Sequence, residues 1–383
     1  MPDLRVIIVG AGLIGPRHAQ SVQAHPSTKL LAFIDPVPSE TISSLNVPCY
    51  PSLESLLQSQ DKPDAAIVCT PNHTHVPVTL NLLSHGIRNI LLEKPVSDSL
   101  ESAESLLSAL KSTSSPAQNE TNILIAHHRR FNPYIRATKA LLDSNSLGRI
   151  IAVNGLWTLL KPPSYFQGNS AWRADRKKGG VLGINLIHDI DVLQFLFGAV
   201  VRVFAEPTSP QRAGNLGGHT AEEGGAITLR FASGVVGTFL VCDAVPAPWN
   251  FEMGTGENPN IPPIPTVNED AGGSDCYRIF GSKASLSVPD MTRWSYDGVT
   301  EGEKGWNREM TMQKIEVQGR ETKPFDMQWE HFVSVIKGKE EVCCGVEDGA
   351  SALSVVQAVR EAMEGKVVDI GHSNYSREYI EES

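Results

Sequence analysis

The feature that most constrains the fold is a glycine-rich segment directly after an apolar run near the N-terminus. Residues 5–9 have the pattern of a buried strand, and the next six residues are Gly10-Ala11-Gly12-Leu13-Ile14-Gly15. Three glycines at this spacing permit a tight turn, close approach of a ligand to the backbone, and close packing of helix on strand. A helix-like segment follows over residues 14–24, and its N-terminus would offer N–H groups to an anion. The pattern predicts a strand–turn–helix unit that binds a dinucleotide, although the glycines alone also fit a plain strand–helix turn.

The first third of the chain continues this alternation of strands and helices. Strand-like runs cover residues 5–9, 30–34, 65–69, 90–92 and 122–126, and helix-like segments between them cover residues 14–24, 53–58, 78–84 and 99–110. This order predicts an α/β Rossmann domain, a doubly wound parallel sheet, over residues 1–130. The serine-rich stretch 112–121 is interpreted as a surface loop of this domain, with a domain boundary as the alternative.

The pattern changes after Phe131. Strand-like runs at residues 150–156, 201–206, 225–231, 235–241 and 277–280 are joined by short turns, and helix-like segments cover residues 134–144, 182–196 and 350–363. These runs predict an α+β domain over residues 131–383, an open, mainly antiparallel sheet covered by helices on one face. Residues 244–273 lack either periodicity, so we expect a functional loop over a pocket or an oligomer contact.

Composition narrows the classes of function. A chain of 383 residues fits two domains, and a net charge of -10 argues against a nucleic-acid partner. No apolar run approaches the ~18 residues that span a bilayer, and no basic leader precedes the first strand, so we expect no membrane partner and a cytoplasmic protein. The six cysteines lack CxxC spacing and are interpreted as reduced thiols. His127 and His128 would point to opposite faces of a strand, so we expect no metal site.

Polar residues at the ends of the strand-like runs complete the candidate dinucleotide site. Asp35 stands where a carboxylate binds the ribose 2′-hydroxyl, and no Lys or Arg follows it closely, which favours NAD over NADP. Ligands of open α/β sheets bind at the carboxyl ends of the strands. We therefore expect cofactor contacts at Gly10, Gly12, Leu13, Ile14, Gly15, Asp35, Thr70, Pro71, Asn72, His75, Glu93 and Lys94.

Several segments taken together resemble the glucose–fructose oxidoreductase / inositol dehydrogenase / rhizopine-catabolism (Gfo/Idh/MocA) family. The resemblance rests on the order and spacing of GAGLIG with His18 after it, TPNHTH (residues 70–75), EKP (93–95), HRRFNP (128–133), LGRI (147–150), Trp172-Arg173, and Gly179-Gly180 leading to HDID (188–191). It implies a Rossmann domain plus a substrate-binding domain, and oxidation of an alcohol carbon of a sugar or cyclitol, or the reverse reduction. It also implies catalytic roles for Lys94 and His188, and association into homodimers or homotetramers through the C-terminal sheet.

The chemistry of alcohol oxidation calls for these residue types. Hydride leaves a carbon as its hydroxyl proton is removed, which needs a base and a cation that stabilises the developing alkoxide. His188 suits the first role and Lys94 the second, or the first if burial depresses its pKa. Many family members carry an aspartate four residues before the histidine, but this position is Ile184 here, with Asn185 beside it. Asn185 is a candidate for orienting the substrate, and otherwise another group relays the proton.

Cations and aromatic residues cluster in the segments that would line the substrate pocket. Of these we predict substrate contacts for Arg129, Lys161, Tyr165, Trp172 and Arg173. They could bind an anionic ring substrate, with an arginine on its carboxylate, or instead form ion pairs with local acids. The predicted partner is thus a small polyol, sugar or carboxylated ring. Oxidation of a cyclic dihydrodiol or hydroxy acid, a redox-neutral NAD-dependent glycosidase, and a non-catalytic NAD-binding regulator are the alternatives.

Overall fold

The computed structural model describes residues 3–37, 40–112, 121–212, 218–262 and 275–370. These residues form two compact units. The first contains residues 3–128 and 323–353, and the second contains residues 129–322 and 354–370. The chain therefore returns to the first unit over residues 323–353, a segment that lies within the predicted second domain, residues 131–383.

The first unit is built on a six-stranded parallel sheet with the strand order β3-β2-β1-β4-β5-β6. The strands are β1 Leu4–Val9, β2 Thr28–Ile34, β3 Cys49–Tyr50, β4 Ala65–Val68, β5 Asn89–Leu92 and β6 Asn122–Ile125. The helices between them are α1 Gly15–Ala24, α2 Leu53–Ser59, α3 His75–Ser84 and α4 Leu100–Ser112. This order confirms the predicted doubly wound sheet, in which right-handed crossovers place helices on both faces.

The second unit contains a nine-stranded sheet with the order β14-β13-β12-β11-β7-β10-β9-β8-β15. Its strands are β7 Ile150–Thr158, β8 Val200–Pro207, β9 Gly224–Phe231, β10 Val236–Cys242, β11 Tyr277–Gly281, β12 Ala284–Val288, β13 Thr292–Ser295, β14 Thr311–Lys314 and β15 Val367–Asp369. Only the β7–β10 pair is parallel, which confirms the predicted, mainly antiparallel sheet. Its first three helices are α5 Pro133–Asp143, α6 Ile187–Phe197 and α7 Phe251–Thr255.

Burial along the strands explains why the two sheets differ in sequence pattern. All four residues of β4 are buried, because helices cover both faces of a parallel sheet. In β9 and β10 buried and exposed residues alternate, because one face packs on helices and the other is open. The continuous apolar runs and the alternating runs of the sequence therefore correspond to two kinds of sheet.

Two further helices, α8 Pro324–Ile336 and α9 Val346–Ala362, lie between β14 and β15 in the chain. Helix α8 packs in the first unit, where Trp329 and Phe332 are buried and the Ser21 hydroxyl donates a 2.5 Å hydrogen bond to Asp326. Helix α8 is not among the elements predicted from the sequence. Helix α9 corresponds to the segment predicted over residues 350–363.

Two predicted loops fall partly outside the described residues. Residues 113–120 of the serine-rich stretch and 263–273 of the aperiodic stretch are not described. The described part of the aperiodic stretch contains α7, capped by the Asn250 side chain, which accepts a hydrogen bond from the Met253 amide. Within the described ranges, no helix is long and apolar enough to cross a membrane.

Candidate active site

The glycine-rich turn of the first unit leaves a space for a ligand next to the backbone. Gly10 has a φ of +104°, and a Cβ there would lie 2.6 Å from the Cys69 carbonyl oxygen. A Cβ on Gly15 would lie 2.4 Å from the Gly10 oxygen, whereas a Cβ on Gly12 would meet nothing within 4 Å. Helix α1 then begins without a side-chain cap and without an acidic residue in its first turn. The turn therefore fits the pyrophosphate of a dinucleotide, which needs open backbone and a helix N-terminus free of negative charge.

Asp35 stands at the end of β2 and is fixed to this turn. Its Oδ2 accepts a hydrogen bond from the Ala11 amide at 2.8 Å, and its Oδ1 accepts one from the Val37 amide at 2.9 Å. Each carboxylate oxygen has a second lone pair for a ribose hydroxyl. The residues of the turn and Asp35 thus form one rim that fits an adenosine ribose and a pyrophosphate.

The segment after β4 is joined to the segment after β5 by a buried histidine. His75 Nδ1 lies 2.7 Å from the Pro95 carbonyl oxygen, and Nε2 lies 2.8 Å from the Thr70 carbonyl oxygen. Burial lowers the pKa of His75, and the two carbonyl acceptors offset this only in part. The ring nitrogens of His75 therefore connect two loops, and Thr70, Pro71 and Asn72 lie on the loop that it holds.

Glu93 and Lys94 follow the end of β5. The Glu93 carboxylate is buried, with Oε1 2.8 Å from His18 Nε2, while Oε2 accepts a 3.0 Å hydrogen bond from the Lys94 amide. Burial alone would raise the pKa of Glu93, but the His18 hydrogen bond and the charges of His18 and Lys94 lower it. An ionised Glu93 therefore fixes the backbone at Lys94, whose side chain is half-buried.

The His18 ring also contacts an aromatic residue, Phe325, that is not predicted from the sequence. The Phe325 ring packs edge-on against His18 with centroids 5.3 Å apart and stacks on His128 at 4.5 Å. Phe325 lies in the first turn of α8. A residue far away in the sequence therefore packs against the His18 ring, which in turn contacts Glu93 after β5. The only local sequence signal of Phe325 is its place after Pro324, a favoured first residue of a helix.

The predicted cofactor residues of the first unit share one edge of the sheet. They follow the carboxyl ends of β1, β2, β4 and β5, which are adjacent in the order β2-β1-β4-β5. Parallel neighbours end at the same edge, which is where open α/β sheets bind their ligands. No group of three or more His, Cys, Asp or Glu side chains among the described residues is arranged to hold a metal ion.

In the second unit, His188 and Asn185 lie at the junction of two kinds of helix. Residues Leu182–Leu186 form a π-helical turn that runs directly into α6. His188, the second residue of α6, is buried, and Asn185 within the π-turn is half-buried. A π-turn inserted in a helix changes which side chains share a face, and such turns are frequent at functional sites.

Lys161 connects Asn185 to a carboxylate. Its Nζ donates a 2.6 Å hydrogen bond to Asn185 Oδ1 and lies 3.3 Å from Asp243 Oδ2. The residue is buried, and burial, assisted by the nearby charges of Arg173 and Arg212, lowers its pKa to about 8 in spite of Asp243. Asp243 is not among the residues predicted from the sequence, although an aspartate that directly follows an alternating strand, here β10, is a recognisable signal.

Tyr165 contacts two of the other predicted substrate residues, and a third, Trp172, contacts one of these. The Lys161 Nζ lies 4.5 Å from the centre of its ring, and the Arg173 Cζ lies 4.0 Å from it. Arg173 also lies 5.6 Å from the Trp172 ring, and Trp172 is 42% exposed. Arg173 forms no ion pair with any residue in the described ranges. Its guanidinium therefore keeps hydrogen-bond donors for a further partner.

Arg129 has a different environment from the other predicted substrate residues. Its guanidinium is buried and bonded to Asp189 at 3.1 Å, Glu252 at 2.6 Å and Glu257 at 3.0 Å. The neighbouring Arg130 pairs with Asp191 at 2.7 Å. These are the ion pairs of the alternative interpretation, and they occupy the Arg129 guanidinium on three sides.

Family models match both parts of the chain. A model described as the NAD-binding Rossmann fold of the oxidoreductase family, GFO_IDH_MocA, matches residues 4–121. A second, described as the C-terminal alpha/beta domain of the same family, matches residues 139–370.

Curated relatives are distant. The chain is 25% identical over 199 residues to an inositol 2-dehydrogenase of Rhizobium meliloti, covering 51% of this chain and 55% of that protein. It is 25% identical over 231 residues to a 2,7-anhydro-N-acetylneuraminate hydratase of Mediterraneibacter gnavus, covering 59% of this chain and 55% of that protein. The chain thus spans about half the length of these relatives.

Solved structures share the fold over nearly the full length. The WlbA dehydrogenase from Chromobacterium violaceum, in complex with NADH and UDP-GlcNAcA, has a TM-score of 0.74 at 18% identity and covers 97% of this chain and 99% of that chain. A myo-inositol dehydrogenase from Corynebacterium glutamicum has a TM-score of 0.69 at 20% identity and covers 97% of this chain and 100% of that chain.

Proposed function

Because the chain belongs to the Gfo/Idh/MocA oxidoreductase family, we propose that it is an NAD(H)-dependent enzyme acting on a hydroxyl or carbonyl carbon of a sugar, sugar acid or cyclitol. The observation that carries the proposal is the edge of the first sheet at which the carboxyl ends of its strands lie. Four adjacent strands there end in the open glycine turn, in Asp35, in the Thr70 loop and in the Glu93-Lys94 pair.

The cofactor residues act by shape and charge. Gly10, Gly12 and Gly15 with the N-terminus of α1 bind the pyrophosphate, and Leu13 and Ile14 lie on the same turn. The bound nicotinamide supplies the hydride acceptor or donor. The fixed carboxylate of Asp35 accepts the ribose hydroxyls and repels a 2′-phosphate, so NAD is the proposed cofactor rather than NADP.

Lys94 and His188 are the proposed catalytic residues. His188 accepts the hydroxyl proton as the alcohol is oxidised, and the Lys94 ammonium stabilises the developing alkoxide oxygen. Glu93, bonded to His18 and to the Lys94 amide, holds the Lys94 backbone in place. In the reverse reduction the same groups polarise the carbonyl and return the proton.

The cluster around Tyr165 is the proposed substrate-binding surface. Tyr165 and Trp172 offer ring faces for a cyclic substrate, and Arg173 offers donors to its oxygens. Because Arg173 has no carboxylate partner among the described residues, a carboxylated ring is the preferred class of substrate.

A redox-neutral reaction that uses NAD only transiently is a second candidate. The observation that favours it is the relative described as a hydratase, a name that describes no net oxidation. A non-catalytic regulator is disfavoured, because a sensor needs neither Lys94 nor His188.

We further propose that the protein is a homodimer or homotetramer formed through the outer face of the second sheet. Paired positions across β10, β7, β11, β12, β13 and β14 form a row of Val236, Ala152, Phe280, Ser285, Trp294 and Met312. Its four large apolar members are each 39–56% exposed, and an apolar row of this length is typical of an interface.

The test of function is an absorbance assay of reduced nicotinamide with purified protein, NAD or NADP, and a panel of sugars, uronates, cyclitols, cyclic diols and hydroxy acids. Net turnover of one group with NAD supports the dehydrogenase. Conversion of an anhydro-sugar or glycoside without net change of NADH supports the redox-neutral candidate. Cofactor binding without conversion of any compound would contradict both.

A further inference from the structure

The hydrogen bond between Lys161 and Asn185 fixes the direction of an amide. A lysine ammonium can only donate hydrogen bonds, so the Asn185 atom 2.6 Å from it must be the carbonyl oxygen. The amide nitrogen of Asn185 then points away from Lys161. It forms no hydrogen bond with any residue in the described part of the chain, and the side chain is half-buried.

Lys161 itself is held from several sides. The Asp243 carboxylate lies 3.3 Å from its Nζ, the Tyr165 ring 4.5 Å and the Trp157 ring 5.5 Å, and the residue is only 7% exposed. Asp243 is bonded in turn to Arg212, which fixes the carboxylate. Lys161 thus has little freedom to reach a substrate, whereas the amide that it fixes is accessible.

We propose that Lys161 is a positioning residue that locks the Asn185 amide with its N–H groups toward the substrate. This inference rests on the proposed function and deepens it: at this point the site recognises a substrate oxygen that accepts hydrogen bonds. An ionised aspartate can only accept hydrogen bonds. The Lys161–Asn185 pair therefore offers the substrate a hydrogen-bond donor, whereas the family carboxylate offers an acceptor.

The pair also makes substrate binding depend on pH. The titratable and charged groups that face Lys161 are Asp243 after β10, Tyr165, Arg173 and Arg212. Burial, helped by the charges of the two arginines and opposed by Asp243, lowers the pKa of Lys161 to about 8. Above this pH the neutral amine can accept as well as donate, so the amide is no longer held in one direction. KM for the substrate should therefore rise above about pH 8 while kcat changes less.

The pair can be tested without any substrate. In protein labelled with 13C at lysine Cε, the Lys161 resonance is the one missing from Lys161→Arg, and its shift against pH gives the pKa. Asn185→Leu removes an acceptor of the ammonium and should lower this pKa, whereas Asn185→Asp adds a negative charge and should raise it. A Lys161 titration that is the same in the wild type and both variants would overturn the proposal. This readout stands even if the wild type converts no compound of the panel, an outcome that would reject only the proposed function.

Kinetics then test the role of the pair on the substrate that the panel identifies. Lys161→Met should raise KM about tenfold, as expected for one misdirected hydrogen bond, and remove the change in KM near pH 8. Lys161→Arg keeps a donor and should recover part of the affinity, and the exposed Lys178→Met is the matched control. An unchanged KM and pH profile in Lys161→Met would contradict the positioning role. If Lys161→Met does not fold, Asn185→Leu, which removes the same amide, should show the same rise in KM.

Discussion

At the scale of single residues, charged side chains that are adjacent in sequence, or of the same type, have different surroundings. Glu93 is buried and hydrogen-bonded on both carboxylate oxygens, while Lys94, one residue later, is half-buried at the strand-end edge. Arg129 is enclosed by three carboxylates, while Arg173 lies against the Tyr165 ring and has no acidic partner among the described residues. The chemical role of each charge thus depends on its pairing.

The proposed role of Lys94 predicts a selective loss of turnover. In Lys94→Ala, kcat/KM should fall by about 10²–10⁴, the usual contribution of one group to proton transfer and charge stabilisation. The dissociation constant for NADH should change less than about twofold, since affinity comes from the glycine turn and Asp35. Turnover and fluorescence titration of NADH measure the two quantities, with the exposed Lys29→Ala as control. Wild-type turnover in Lys94→Ala would exclude the assignment.

Asp35 should set the choice between the two dinucleotides. Asp35→Ala removes the charge that repels a 2′-phosphate, so affinity for NADP should rise while affinity for NAD falls. A change of at least about tenfold in the ratio of dissociation constants is expected, equal to about 1.4 kcal/mol. Calorimetric titration of the two cofactors measures the ratio. A wild type that prefers NADP, or a variant with an unaltered ratio, would refute this role.

At the scale of elements, a buried cluster of charges joins several parts of the second unit. Arg129 is the first residue of this unit, and its partners Asp189 and Glu252 lie on α6 and α7. The hydroxyl of Tyr277, on β11, donates a hydrogen bond to Asp189. Three carboxyl groups surround one buried guanidinium, so a proton retained by the cluster reduces its excess negative charge. Asp189 is where this proton resides, because burial raises its pKa to about 7 and its Oδ2 has no hydrogen-bond partner among the described residues.

This raised pKa predicts how stability depends on pH. The folded protein holds a proton on Asp189 up to about pH 7, whereas the unfolded chain releases it near pH 4. The contribution of Asp189 to the free energy of unfolding is therefore fully present below about pH 4 and is lost as pH rises through 7. Asp189→Asn carries no proton to lose, so relative to the wild type it should become more stable between pH 5 and pH 8.

Urea unfolding of the wild type and Asp189→Asn at several pH values measures this difference. The exposed Asp143→Asn, whose carboxylate pairs with Lys139, is the control and should follow the wild type. A constant difference between Asp189→Asn and the wild type across this range would show that Asp189 does not hold the proton.

At the scale of the whole molecule, the outer face of the second sheet predicts the state of association. The wild type should be a dimer or a tetramer, and Phe280→Arg should shift it toward monomer, because a charge would be placed in the middle of the apolar row. Light scattering after size-exclusion chromatography gives the mass, and Arg278→Lys on the same strand face is the control. A wild type that is monomeric at micromolar concentration would contradict the proposed interface.

Much of the fold follows from local sequence patterns. The glycine turn, five of the six strands of the first sheet and the alternating strands β7 to β11 are predicted because hydrophobic periodicity and glycine positions reflect the geometry of a short segment. The very short strands β3 and β15, the polar short strands β12 to β14, and helices α7 and α8 are missed. Ser285 and Ser287 of β12 face outward and give little hydrophobic signal, and the place of α8 in the first unit depends on contacts with α1, far away in sequence.

The sequence by itself determined the two types of sheet, the glycine turn and the strand-end residues, because each depends on the chemistry of a few consecutive residues. Only the tertiary structure decided which charges are paired: Arg129 with three acids, Lys161 with Asn185 and Asp243, and Arg173 with none among the described residues. The physical reason is that burial and ion pairing join residues far apart in the chain, such as Arg129 and Glu257, which are 128 positions apart, and no local pattern encodes such a partner.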